Sequence, residues 1–351
     1  FGTAPFIVDA IRKRCECEVL GYTGKPDSYY RAIINWVKQR YDLDVTKEMI
    51  NFVPGIVPGI GMAMNSFTRP GDKVMIQPPV YHPFAWVTTR NERTLVTNPL
   101  KWENGMYRMD LDAFREQVKG CKLFILCNPH NPGGVVWTED ELRTVAEICY
   151  EEKVLVFSDE IHADLTLPPY KHRPFATISE KAKMNSVTFM SPSKAFNMPG
   201  LAASHAIIFN EDLRARFRKF MDAGELDMGH VFAFLSVEAA YTHGTEWLDQ
   251  CLAYIQGNID YVDNFLKTHA PRIKAIRPQA SYLVWLDCRE LGLNQEALND
   301  FFADKAHLAL NDGAMFGKEG TGYMRLNVAS PRSVIEQAMK QLAEAYQAMS
   351  F

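Results

Sequence analysis

Short apolar runs recur along this chain, separated by stretches whose apolar residues repeat on a helical period. Lys73–Ile76, Leu123–Cys127, Val154–Phe157, Ser186–Met190 and His205–Phe209 carry almost no polar alternation. Strands buried on both faces of a sheet read this way, because neither set of side chains meets water. Between the second and third runs lies Thr138–Glu152. It opens on a threonine, has Asp140 and Glu141 in its first turn, and spaces Leu142, Val145, Ala146 and Cys149 along one face. That pattern predicts an amphipathic helix with an N-cap. Strand, helix, strand of this kind predicts an α/β fold, a mostly parallel central sheet flanked by helices.

The C-terminal part reads differently. Trp247–Thr268 predicts one long helix, Ser281–Asp287 and Tyr323–Val328 predict strands, and Pro331–Met349 predicts a closing helix. A smaller α+β domain is expected there. The large domain is expected to span residues 24–250, and the small one residues 1–23 and 251–351. From its residues alone, the segment before Gly24 is able to pack on either.

Composition narrows the functional classes. The chain has 351 residues, 47% of them hydrophobic and 23% charged, with a net charge of -4. These are values of an ordinary globular enzyme. No basic stripe suits nucleic acid, and no apolar stretch approaches membrane-spanning length. Cys15, Cys17, Cys121, Cys127, Cys149, Cys251 and Cys288 are odd in number and form no C-x-x-C pair, so a reducing, cytoplasmic compartment is expected. No histidine spacing suits a metal. The start at Phe1 rather than Met is what a trimmed chain would show, and no signal-peptide pattern is present.

Three polar groups follow three of the apolar runs. Asn131 lies in Asn128-Pro129-His130-Asn131-Pro132-Gly133-Gly134, Asp159 in Ser158-Asp159-Glu160-Ile161-His162, and Lys194 in Ser191-Pro192-Ser193-Lys194. An amide, a carboxylate and an amine at strand ends can hold one flat, phosphorylated, electron-accepting ring. Pyridoxal 5'-phosphate is such a ring, with Lys194 as its Schiff-base lysine and Asp159 against the pyridinium nitrogen. Ser191 and Ser193 can offer hydroxyls to the phosphate. His162 can reach Asp159 or the ring hydroxyl, and Asn131 can donate to the phenolic oxygen. Gly55–Gly61 opens an apolar helical stretch running to Phe67, so Ile56 and Val57 supply main-chain N–H groups suited to phosphate. Tyr81, after Lys73–Ile76, can stack on the ring. Arg325, on an otherwise apolar strand, suits a substrate carboxylate. Tyr22 can reach a phosphate across a dimer interface. Glu160 has no evident role. Each feature alone also has an ordinary structural explanation, a turn, a cap, a core contact or an ion pair. Their company and order carry the reading.

That order resembles the fold-type I pyridoxal-phosphate enzymes, the aspartate-aminotransferase superfamily, from about Gly21 to the C-terminal helix. Within it the chain is most similar to the cystathionine β-lyase (C–S lyase) group of the MalY/PatB type. Gly21-Tyr22-Thr23, Asn128–Gly133, Ser158–His162 followed by Asp164, Ser191–Gly200, Tyr323–Leu326 and Pro331-Arg332 carry the similarity. Aminotransferases commonly place an arginine eight residues after the lysine. Here that position is Ala202, in Gly200-Leu201-Ala202, as in the C–S lyase group. Two departures concern the substrate side. The aromatic stretch that family members carry before the point matching Phe1 is absent, and Ser193-Lys194-Ala195 replaces the usual Ser-Lys-Thr.

The resemblance implies the type I transferase fold, a homodimer, and β-elimination from cystathionine or a related cysteine S-conjugate to thiol, pyruvate and ammonia. The alternative is an aminotransferase acting on an amino acid and a 2-oxo acid. A purely regulatory module of this fold would be expected to lose Lys194, Asp159 or Arg325. A dinucleotide-binding dehydrogenase would need a glycine fingerprint after a strand, which the sequence does not have.

Overall fold

The computed structural model describes residues 1–349. The apolar runs pair as a central sheet because both of their faces find apolar partners. In chain order the strands are β1 (Ile50–Val53), β2 (Lys73–Ile76), β3 (Thr94–Thr97), β4 (Lys101–Glu103), β5 (Met106–Arg108), β6 (Cys121–Cys127), β7 (Leu155–Asp159), β8 (Ser186–Met190), β9 (Ser204–Ile207), β10 (Lys274–Ile276), β11 (Leu283–Asp287), β12 (Asn311–Asp312) and β13 (Tyr323–Asn327). The central sheet has the order β1-β9-β8-β7-β6-β2-β3. Its pairs are parallel except at β9, which runs antiparallel to both β1 and β8.

Alternation along β6 and β7 decides the layering. Leu123, Ile125, Leu155 and Phe157 face a cluster that includes Ile60, Phe84 and Phe189. Phe124, Leu126 and Val156 face another, with Phe114, Leu142 and Val145. Fully burying one such side chain stabilises by about 1.5–3 kcal/mol. Two strands that the sequence pattern does not predict complete the sheet. β1 holds just four residues, one of them Asn51, and β3 is an edge strand with exposed threonines at both ends. Neither offers a long apolar run, so tertiary pairing defines them.

The predicted helix spans Glu139–Glu151. Thr138 Oγ1 accepts the Glu141 N–H at 3.2 Å and Glu141 Oε2 accepts the Thr138 N–H at 2.9 Å. This reciprocal cap satisfies two N–H groups that the first turn leaves without intrahelical partners. Helix Pro5–Cys15 packs against helix Val231–His243. Helix Thr245–His269 runs through residue 250, where a boundary between domains is expected, and residues 350–351 of the expected small domain lie outside the described residues.

A second sheet, β10-β11-β13-β12, is antiparallel throughout. It docks on the central sheet through apolar packing, Ile276, Trp285 and Tyr323 sharing a buried cluster with Met75, Phe124 and Val156, and through hydrogen bonds. The Val80 N–H donates to Phe316 O at 2.9 Å and the Leu167 N–H to Gln279 O at 2.9 Å. These contacts hang β13 over the C-terminal ends of the parallel strands, where open α/β sheets place their ligands.

The packing generates a ranking. Phe157→Ala empties a fully enclosed site between two faces and should lower stability by about 3–5 kcal/mol. Thr138→Ala removes one cap and should cost about 1 kcal/mol. Urea unfolding followed by circular dichroism checks the order; equal losses would contradict it.

Candidate active site

The parallel strands β6, β7 and β8 end side by side, and the chain that follows each turns into one cavity of about 480 Å³. Of the residues expected at the site, Ile56, Val57, Tyr81, Asn131, Asp159, His162, Ser193, Lys194 and Arg325 line it together. Ser191 and Tyr22 do not. Ser191 Oγ turns inward, 2.7 Å from Ala203 O, and accepts the Ser193 N–H at 3.1 Å, so it braces the turn that presents Lys194. Tyr22 is 97% exposed on an extended segment and borders a separate surface groove.

Asp159 ends β7, in register with Cys127 of β6. One carboxylate oxygen accepts the Ile161 N–H at 3.1 Å, and no lysine or arginine pairs with it among the described residues. Burial pushes its pKa up to about 7, against the Ile161 N–H and the Lys194 charge, while Glu160 adds to the rise. The structure supplies the role that the sequence did not give Glu160. Its carboxylate points away from the cavity and accepts from Ser158 Oγ at 2.8 Å and the Phe175 N–H at 2.9 Å, with His172 Nε2 at 2.7 Å. Glu160 thereby pins the strand end from behind.

Lys194 follows β8. Burial depresses its pKa, Arg325 depresses it further, and Asp159 opposes both. His162 is pushed down to about 3 by burial, with Lys194 and Arg325 acting in the same direction, so it is a neutral imidazole with a buried, unpartnered Nδ1. Tyr81 is raised by burial and by Asp159.

Arg325 reaches the cavity from β13. One guanidinium arm donates to Asn131 Oδ1 at 2.9 Å and the other to Asn311 Oδ1 at 2.8 Å; its Nε is buried without a partner. Its carbon lies 4.6 Å from the centre of the Phe316 ring. Burial pulls its pKa down to about 10. No carboxylate answers this charge among the described residues.

The opposite wall is the start of helix Ile56–Phe67, whose first N–H groups have no intrahelical acceptor. Gly55 enters it at φ 126°, a conformation that L side chains rarely adopt, and an added Cβ would meet Pro58 at 3.4 Å. A helix start, Ser193 and the nearby Ser204 suit an anionic group. A buried acid with no partner suits a protonated ring nitrogen. The cavity therefore fits a flat, phosphorylated, cationic ring at one end and a carboxylate at Arg325.

Sequence reasoning missed Cys127, His82, Ser204, Tyr282, Asn311 and Asn327, which also line the cavity. Cys127, Tyr282 and Asn327 sit at or within predicted strands, so the strand-end rule could have found them. His82 and Asn311 lie in turns or short pairings with no periodic signal.

Comparison with known proteins agrees with this geometry. Residues 5–342 match the family described as aminotransferase class I and II. Cystathionine beta-lyase PatB of Bacillus subtilis (strain 168) is 38% identical over 97% of this chain and 88% of its own length. The crystal structure of cystalysin from Treponema denticola, which contains a pyridoxal 5'-phosphate cofactor, superposes with a TM-score of 0.97 at 34% identity, covering 100% of this chain and 89% of that one. The pyridoxal-phosphate-bound C–S lyase of Staphylococcus hominis, complexed with the inhibitor L-cycloserine, gives 0.92 at 33% identity, covering 100% and 91%. The chain belongs to the aminotransferase class I and II family, and its fold is the type I pyridoxal-phosphate-dependent transferase fold.

Proposed function

We propose that this chain is a pyridoxal-phosphate-dependent carbon–sulfur β-lyase, cleaving cystathionine or related cysteine S-conjugates to thiol, pyruvate and ammonia. The convergence of Lys194, Asp159 and Arg325 in one cavity supports the cofactor chemistry, and Ala202 on the cavity wall, where aminotransferases commonly have an arginine, favours the lyase. The similarity to cystathionine β-lyases and C–S lyases over nearly the whole chain supports it.

In this reading the Ile56 and Val57 N–H groups and Ser193 would hold the cofactor phosphate, Asn131 and His162 would serve the ring oxygen, Tyr81 its flat side, and Asp159 its nitrogen. When bound, pyridoxal phosphate supplies an electron sink for negative charge at the substrate Cα. Lys194 tethers it at rest and, once free, removes the Cα proton. The depressed pKa of Lys194 favours the neutral amine that this step needs. Asp159 keeps the ring nitrogen protonated. Arg325 grips the α-carboxylate and so fixes which Cα bond faces Lys194. The thiolate then leaves from Cβ, taking a proton from Lys194 or a nearby tyrosine, and water hydrolyses the released aminoacrylate to pyruvate and ammonia.

We propose a homodimer in which the exposed Tyr22 reaches the phosphate end of the second copy's cavity; neighbouring Val19 and Leu20 are also exposed, at 72% and 64%. The described residues contain no helix long and apolar enough to cross a membrane. All seven cysteines are free, which supports a cytoplasmic setting.

Purified, cofactor-loaded protein given L-cystathionine should release pyruvate and thiol in equal amounts with no added keto acid. Product only when a keto acid is supplied would make the chain an aminotransferase. Lys194→Ala should lower turnover by about a thousandfold or more.

A second expectation concerns Asp159 in the cofactor-free protein. Its folded pKa of about 7 lies above the ordinary 3.8. Between those values the native state binds more protons than the unfolded state, so this group's contribution to stability falls as pH rises. Asp159→Asn should therefore melt above the parent at pH 8, with the gap closing toward pH 4. Added pyridoxal phosphate should raise the parent's melting temperature more than the variant's. A pH-independent gap would contradict the assignment.

A further inference from the structure

Arg325 is held by two amides. Asn131 takes one arm, and it belongs to the turn after β6 beside the expected cofactor position. Asn311 takes the other from β12, where it is the register partner of Arg325 across the β12–β13 pair. The same short stretch of chain also supplies Phe316, whose ring lies against the guanidinium. Phe316 O accepts the Val80 N–H at 2.9 Å, one residue before Tyr81. The loop that starts at Asn311 thus fixes the fork and ties it to the segment that carries Tyr81.

The nature of the Asn311 group matters as much as its position. An amide oxygen accepts a hydrogen bond without cancelling the guanidinium charge; a carboxylate in its place would form a charge-assisted pair and satisfy it. The next residue is a carboxylate, and it is engaged elsewhere. Asp312 accepts from Gln295 Nε2 at 2.7 Å, Asn299 Nδ2 at 2.8 Å and the Ala314 N–H at 2.8 Å. The titratable groups that act on or feel Arg325 are Tyr81, Tyr282, His82, His162 and Lys194, none of them an acid of ordinary pKa. Arg325 is thereby kept half-buried, oriented and without an acidic partner among the described residues.

We infer that Asn311 is a positioning residue: a neutral anchor that aims the outer arm of Arg325 while leaving its charge free for the substrate α-carboxylate. The inference rests on the reading that Arg325 receives that carboxylate. It makes a contrary forecast. Asn311→Asp keeps the shape of the side chain and strengthens its bond to Arg325. A merely structural role therefore ranks the variants parent, Asp, Ala. A charge-sparing role ranks carboxylate binding parent, Ala, Asp.

The test uses cofactor-loaded protein and two probes, L-alanine and L-alaninamide, followed by the change in cofactor absorbance on binding. Asn311→Asp should weaken L-alanine by about tenfold or more, the scale of one charge-assisted bond, and leave L-alaninamide within about twofold. KM for the sulfur substrate should rise in step, with kcat changing less than KM. Asn311→Ala should fall between parent and Asp; residue 311 is exposed, so this variant is expected to fold. L-alanine binding by the Asp variant equal to or tighter than that of the Ala variant would overturn the inference, and so would equal weakening of both probes. Arg325→Gln separates the two layers. If it leaves the preference for L-alanine over L-alaninamide intact, the carboxylate reading of Arg325 itself is wrong. If it abolishes that preference while Asn311→Asp does not reduce it, only the role of Asn311 falls.

Discussion

Lys194, Asp159 and Arg325 share one cavity and none of them bonds another. Isolated buried charges are unfavourable, and the pKa shifts record this: Asp159 pushed up to about 7, Arg325 down to about 10, Lys194 down as well. Collapsing the three into mutual ion pairs would relieve the strain and fill the cavity. The fold prevents it by mounting each on a separate rigid element, β7, the turn after β8, and β13. Pyridoxal phosphate with an amino-acid substrate would answer all three, an aldehyde for the Lys194 amine, a cationic ring nitrogen for Asp159 and a carboxylate for Arg325.

The supports behind the cavity explain how the separation persists. Glu160 locks the end of β7 through Ser158, His172 and the Phe175 N–H. Ser191 braces the turn before Lys194. Two amides and an aromatic ring hold Arg325. Beneath them, β6, β7 and β8 lie in a parallel register sealed by apolar clusters on both faces, so a shift of one strand would disturb packing on both sides of the sheet. Stability of the core and unfavourable placement of the charges are two sides of one design.

Much of this was legible before any coordinates. β2 and β8 coincide with the runs Lys73–Ile76 and Ser186–Met190, and the Thr138 cap forms as its spacing predicts. Asn131, Asp159 and Lys194 each lie at or just past the end of a buried strand, and the ends of neighbouring parallel strands must lie close together. That logic brought most of the expected residues into one cavity. Two expected residues, Ser191 and Tyr22, do not line that cavity. Ser191 has the hydroxyl expected of a phosphate contact, yet the bend of its turn directs that hydroxyl to Ala203. Tyr22 lies exposed on an extended segment away from the cavity.

Periodicity and strand-end chemistry in the sequence determined the fold class, the parallel sheet and the chemical character of the site, because these depend on spacing along the chain. Tertiary structure alone decided that β13 hangs over the sheet with Arg325 between Asn131 and Asn311. Those residues are separated by 194 and 14 positions, and no local pattern encodes a contact made by docking one sheet against another. Tertiary structure also decided that Asp159 lacks a cation and that Glu160 turns away from it. Such outcomes follow from which groups remain unpaired once everything else has packed.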